Sequence, residues 1–302
     1  KLLTCVKLSR CIFWDNVPGF FCILVQGRLI KRRIFSGDTS MELGITGRNA
    51  LITGGSQGIG RACAEALAEE GVNLVIVARN TERLAIASSE ISSNQSGRVI
   101  PIAADLTVAN EVERVFEEAE NALGQIDILV NNAGSAPLGL IGDLGDDVWQ
   151  SCFDLKLMGY VRFSRAVMRG MRVRKWGRII NIIGRGGHFP TAKYIAGGAI
   201  NAAILNITQA LAEECGPDNV LVNGINPAAT ATERWDTLVQ QRMEITGQTE
   251  EQIKEASASS VPLGRIGKPE DIANMVVYLC SEKANFINGS LIDIDGGVSR
   301  AL

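Results

Sequence analysis

The chain has 302 residues, is 46% hydrophobic and 21% charged, and carries a formal charge of −3. This balance excludes a disordered polyelectrolyte and supplies enough apolar side chain for one large α/β core. Residues 1–40 hold seven basic and two acidic side chains, which leaves about −8 on the remainder, so nucleic acid is not expected as a partner of the main body.

The first forty residues, with Cys5, Cys11, Trp14 and Cys22, show a period of neither 2 nor 3.6. They are expected to be an extension outside the native fold, which is taken to start near Met41. Phe20 to Val25 is the nearest approach to a membrane-spanning run and is far short of the ~18–20 residues required, so no membrane is expected. The seven cysteines form no Cys-x-x-Cys pair, and with His188 as the lone histidine no metal cluster is expected. This usage fits free thiols in a reducing, cytoplasmic setting.

From Asn49 onward, short apolar runs alternate with helix-length segments: ALIT (50–53), LVIVA (74–78), VIPIAA (99–104), DILVNN (127–132), RIINII (178–183), VLVNGIN (220–226) and SLIDID (290–295). Seven strands, apolar on both faces and joined by helical crossovers, predict a doubly wound α/β fold, a parallel sheet covered by helices on both sides. The helical segments end at glycines, the first at Gly71 and another at Gly124. Only 230–260 breaks the rhythm, and this polar stretch is expected to be a lid or substrate loop.

Between the first strand and first helix, Gly54, Gly58 and Gly60 lie in a G-x-x-x-G-x-G spacing, with Ser56, Gln57 and Ile59 among them. Glycines there let backbone N–H groups at a helix start approach a pyrophosphate without intervening Cβ atoms. The second strand ends with Ala78 and Arg79. An acidic residue at this point would bind a ribose 2′-hydroxyl, whereas an arginine suits a 2′-phosphate, so NADP(H) is favoured over NAD(H).

TGGSQGIG (53–60), ADL (104–106), NNAG (131–134), NPAAT (226–230) and the run from Arg265 to Gly297 together resemble the short-chain dehydrogenase/reductase family over about residues 45–298. The resemblance implies a single-domain Rossmann enzyme, a dimer or tetramer, that moves hydride between nicotinamide and a carbonyl or hydroxyl. It places Asp105 and Leu106 at the adenine, Asn132, Ala133 and Gly134 along the nicotinamide ribose, and Pro227 and Thr232 near the carboxamide. Ala228 replaces the family's glycine after the proline.

The family's proton donor is a tyrosine, matched here by Tyr194, which also flanks the cofactor. Its partners are missing. Gly198 stands where a lysine is expected, the serine position falls on Gly184 or Asn181, and the asparagine position is Lys156. Lowering a phenol from a pKa of about 10 to about 7 takes roughly 4 kcal/mol, more than the ~0–1 kcal/mol of an exposed ion pair, so a cation in a partly dry site is needed. Lys156, on a stripe with Phe153, Leu157 and Tyr160, is expected to extend into the space left at Gly198 and serve as that cation. Arg185, His188, Lys193 and Asn201 are weaker candidates for parts of the role, and Phe189 and Trp235 for apolar walls of the substrate pocket.

The leading expectation is thus an NADP(H)-dependent oxidoreductase acting on a small hydrophobic carbonyl or hydroxyl compound, 3-oxoacyl-like or hydroxysteroid-like, with Tyr194 and Lys156 as its catalytic pair. Two alternatives stay open: a dinucleotide-binding sensor or assembly protein with little turnover, and a non-redox lyase or isomerase on the same fold.

Overall fold

A computed structural model describes residues 41–93 and 97–300, together with the backbone of three strands that precede them. Those strands, β1 (Arg10–Trp14), β2 (Phe20–Val25) and β3 (Arg28–Arg33), pair antiparallel in the order β1-β2-β3 within a unit that ends at Glu42. The alternation that would have announced them is absent from the sequence, which is why this stretch read as irregular. The cysteine and tryptophan side chains singled out there lie outside the described residues.

The second unit, Leu43–Leu302, carries a seven-stranded sheet. Its strands are β4 (Asn49–Thr53), β5 (Asn73–Ala78), β6 (Val99–Ala103), β7 (Ile128–Asn131), β8 (Gly177–Ile182), β9 (Val220–Pro227) and β10 (Leu291–Ile294). All neighbours are parallel, in the order β10-β9-β8-β7-β4-β5-β6. The seven apolar runs are these seven strands. The chain crosses one way from β4 to β5 and later returns to the other side of β4 through β7, so a crevice opens at the carboxyl end of β4.

Each face of the sheet has its own core, because neighbouring strand residues point to opposite sides. Ile52, Ile76, Val130, Ile180 and Ile225 pack beneath α1 (Gly58–Glu69), α2 (Thr81–Ser93) and α9 (Pro269–Cys280). Leu51, Val75, Leu129, Ile179 and Val222 pack on the other face, with α3 (Ala109–Leu123), α5 (Gly159–Arg174) and α6 (Ile195–Cys215). Burying such a side chain is worth about 1.5–3 kcal/mol, so the central strands fix the sheet without polar help. Asn131, Asn181 and Thr208 are an exception, forming a hydrogen-bonded line at 2.9 Å per step.

Before α5, α4 (Asp146–Cys152) runs without a break into a widened π-type turn, Phe153–Met158. Such turns shift the register of the side chains that follow and recur at functional sites. The stretch expected as a lid folds into α7 (Glu233–Thr246) and α8 (Glu250–Ser259), packed through Trp235, Val239 and Ile253. By length and mean hydropathy α6 could cross a membrane, though each of its separate apolar runs is short. Its residues Ile204, Leu205 and Ala212 are buried in the core of this unit. Cys63, Cys152, Cys215 and Cys280 are buried free thiols.

Candidate active site

The crevice at β4 is the mouth of a cavity of about 1070 Å³ that runs from the β5 end to the start of α6. Its floor begins at Gly54 and Gly58, with φ of +69° and +55°, a left-handed backbone that only glycine adopts without strain. Gly60 lies inside α1 and does not line the cavity. A Cβ there would strike the Gly54 carbonyl group, so this glycine holds α1 close to the turn. Thr53 Oγ1 accepts from the N–H groups of Asn132 (2.9 Å) and Ala133 (3.0 Å), and Asn132 Nδ2 donates to the carbonyls of Thr53 (3.0 Å) and Gly54 (3.2 Å). The two motifs are thereby tied into one cradle.

Ser56, Gln57, Ile59, Arg79, Leu106, Ala133, Gly134, Pro227 and Thr232 line this cavity with them. Thr232 caps α7 through its side chain, and its methyl group lies near Gly58. Asp105 is not in the lining. Its carboxylate instead accepts from the Thr107 amide (3.0 Å) and hydroxyl (2.9 Å), shaping the turn that presents Leu106. At the β5 end, Arg79 is joined by Asn80 and Arg83, which sequence reasoning missed. Asn80 Oδ1 caps the start of α2 by accepting from the Arg83 amide (2.8 Å), and the Arg83 guanidinium donates to Gln57 Oε1. An arginine one turn into the helix after Arg79 was the available signal.

Tyr194 and Lys156 face the same cavity. Tyr194 precedes the first turn of α6, and its ring folds back over Gly197, where a Cβ would collide with the phenol. Burial pushes this phenol above its ordinary pKa, an effect opposed by the Arg234 cation and reinforced by Cys152. The Lys156 stem crosses Gly134, where a Cβ would come within 2.6 Å of Lys156 Cδ. Its ammonium donates to the Ile183 carbonyl (2.5 Å) and to Asn201 Oδ1 (2.7 Å). Burial, with the neighbouring Arg234 charge, pushes Lys156 down to about 7.

Lys156 therefore enters the site, but its two hydrogen bonds go to Ile183 and Asn201 and not to the Tyr194 hydroxyl. Asn201, on α6 two turns beyond Tyr194, is the partner that anchors it, and its Nδ2 also donates to the Gly184 carbonyl (3.4 Å). A Cβ at Gly198 would lie 3.1 Å from the Gly186 carbonyl oxygen, because the Arg185–Gly187 turn sits directly on the first turns of α6. Gly184, at φ +119°, lines the cavity where a serine was sought, and Asn181 is buried in the inter-strand line described above.

The remaining candidates turn away from the cavity. Arg185 donates to Ser299 Oγ (3.0 Å) and lies over the Phe189 ring (4.6 Å). His188 stands edge-on to Phe189, with Nδ1 3.9 Å from Asp293, and Lys193 is exposed. Trp235 is buried under the α7–α8 pair. Neither aromatic is a pocket wall. A missed residue takes their place: Arg234, on the first turn of α7, reaches into the cavity and donates to the Ala136 carbonyl.

Residues 54–299 match the family model described as enoyl-(acyl carrier protein) reductase. The chain is 33% identical over 258 residues to the 3-oxoacyl-(acyl-carrier-protein) reductase of Aquifex aeolicus, covering 85% of this chain and all of that one. It is 36% identical over 264 residues to the short-chain reductase protein NovJ of Streptomyces niveus, covering 86% and 97%. Among solved structures, L-sorbose reductase from Gluconobacter frateurii, complexed with NADPH and L-sorbose, superposes with a TM-score of 0.83 at 35% identity, covering 87% and 100%. YwfH, an NADPH-dependent reductase involved in bacilysin biosynthesis, gives 0.80 at 29% identity, covering 84% and 99%. With a family model matched over residues 54–299, relatives above 30% identity over more than four-fifths of the chain, and reductase structures that superpose on the seven-stranded parallel sheet, the chain belongs to the short-chain dehydrogenase/reductase family of oxidoreductases.

Proposed function

We propose that the protein is an NADP(H)-dependent oxidoreductase that interconverts a carbonyl and a hydroxyl group, with Tyr194 as its acid/base. The observation that carries this reading is a single cavity with a glycine cradle and two arginines at one end and Tyr194 with Lys156 at the other. The residues fit the dinucleotide: Gly54 and Gly58 leave a Cβ-free surface at the start of α1 for the pyrophosphate. Arg79 and Arg83 supply cations for a 2′-phosphate, and Asn132, Ala133, Gly134, Pro227 and Thr232 line the nicotinamide end. The bound cofactor supplies the hydride.

The Tyr194 hydroxyl gives its proton to the substrate oxygen in reduction and takes it back in oxidation. A phenol pushed up by burial stays protonated at neutral pH, which suits the reducing direction. Lys156 uses two of its three N–H groups on Ile183 and Asn201, leaving one to face the cavity. Its ammonium, held in the cavity that Tyr194 also faces, supports the phenol by charge. The setting we assign is cytoplasmic, in a dimer or tetramer, with a small hydrophobic molecule, 3-oxoacyl-like or hydroxysteroid-like, as substrate.

The test is NADPH consumption, followed by ultraviolet absorbance, over a panel of ketones and aldehydes, with NADPH binding measured separately by fluorescence. Tyr194→Phe should lower turnover by about 10²–10⁴-fold while cofactor affinity stays within about twofold. Undiminished turnover would refute the assignment. A second reading, a dinucleotide-binding protein with little turnover, is favoured by Gly198, Gly184 and Lys156 at the positions where a lysine, a serine and an asparagine are expected, and would show tight NADPH binding with no carbonyl reduced.

A further inference from the structure

We infer that the substrate end of this cavity is a carboxylate site, with the Arg234 guanidinium as its anchor and an oxo or hydroxy acid as the substrate class. This rests on the oxidoreductase reading above and adds to it what the substrate must carry.

Two cations, Arg234 and Lys156, face one cavity, and among the described residues neither has a carboxylate within ion-pair distance. Both hydrogen bonds of Lys156 go to neutral oxygens, its Nζ otherwise lying 6.0 Å over the Tyr160 ring, and the Arg234 hydrogen bond to Ala136 is likewise to a neutral oxygen. Glu233, the acid adjacent in sequence, lines the same cavity but at its Gly58 side, with Oε2 3.6 Å from the place a Gly58 Cβ would occupy, and it makes no ion pair with Arg234 among the described residues. A neutral carbonyl orients a guanidinium but does not neutralise it, and most of its five N–H donors remain to be used. The two like charges act on each other, since Arg234 contributes to the lowering of Lys156. An anion between them removes that repulsion, whereas a wholly neutral substrate leaves it in place.

The location points to the substrate and not to the cofactor phosphates. Arg234 docks on Ala136, in the segment that follows the Gly134 position and leads to Gly139. The Gly139 amide donates to the Lys193 carbonyl (2.9 Å), and Gly139 bridges to Tyr194 itself. The guanidinium is thus held on the loop that backs the Tyr194 segment, whereas Arg79 and Arg83 occupy the far end of the cavity. Arginine suits this role because its planar fork grips both carboxylate oxygens at once and fixes the orientation of the neighbouring carbonyl. Because Arg234 is on α7, it also links substrate charge to the seating of the α7–α8 pair.

The experiment is calorimetric titration of the NADP⁺-loaded protein with 3-hydroxybutanoate and with its neutral isostere 3-hydroxybutanamide. The acid should bind at least about tenfold more tightly than the amide. Arg234→Gln should erase that preference without changing amide affinity, and Arg234→Lys should restore part of it, with folding of both variants checked by circular dichroism. Equal affinity for acid and amide, or no binding of the acid while NADP⁺ binds, overturns the carboxylate site and leaves the oxidoreductase reading standing. An Arg234→Gln loss that falls on NADP⁺ affinity instead overturns it in favour of a cofactor contact. Failure of the wild-type protein to bind NADP⁺ removes the oxidoreductase reading and this site together.

Discussion

Replacing Lys156 by Met tests the environment of the ammonium without any ligand. An ordinary lysine titrates near 10.5, and this one is pushed down to about 7 by burial and by Arg234. A depressed lysine is one whose protonated form is disfavoured in the folded state, so the unfolded chain binds more protons between these values. Stability then rises with pH across that window, and the burden is full below about pH 7. Linkage with these two values gives a gain of about 2.5 kcal/mol between pH 6 and pH 9, an upper figure because the cavity opens to solvent and screening reduces it. Lys156→Met also strips a donor from the Ile183 carbonyl and Asn201, a cost of about 1–3 kcal/mol that does not vary with pH. The absolute stability difference between the two proteins is therefore uninformative, and its pH dependence is decisive. Chemical denaturation of both proteins without cofactor, at pH 6, 7, 8 and 9, should show the wild type gaining on the variant by at least about 1 kcal/mol overall. Parallel stability curves would refute the buried, charge-crowded placement of Lys156.

Two further outcomes follow from the same geometry. Removing both Arg79 and Arg83 as alanines should weaken NADPH by about 30–800-fold and leave NADH nearly unchanged, since each lost charge-assisted contact to a phosphate costs about 1–2 kcal/mol; direct fluorescence titration of both nucleotides measures this. Restoring the expected lysine as Gly198→Lys should not raise turnover. Its Cβ would press on the Gly186 carbonyl at 3.1 Å, and a loss of about 1–3 kcal/mol in denaturant unfolding is expected. A stable and faster Gly198→Lys enzyme would show that the turn at Arg185–Gly187 does not dictate glycine there.

The sequence by itself determined the large sheet and the glycine-rich end of the cavity. Strand runs apolar on both faces, such as Leu51–Ile52 and Val75–Ile76, have one stable solution, a parallel sheet between two helical layers. The glycines at 54 and 58 announce a positive-φ turn because no other residue adopts it cheaply. Such signals are local, and a local signal is legible in a string of residues.

The Tyr194 end of the cavity was decided only by the tertiary structure. That the Lys156 ammonium would lodge on Asn201 and Ile183 depended on the widened turn at Phe153–Met158, on the absence of a Cβ at Gly134, and on the close seating of the 185–187 turn against α6. Arg234 looked like one more charge on a polar helix until α7 brought it over Ala136. Phe189 and Trp235 have the composition of pocket walls, yet one covers Arg185 and the other seals α7 to α8. A long side chain's destination depends on which distant backbone leaves room for it. Contacts between residues 45 or 98 positions apart, such as Lys156 with Asn201 and Arg234 with Ala136, leave no periodic trace in the sequence between them.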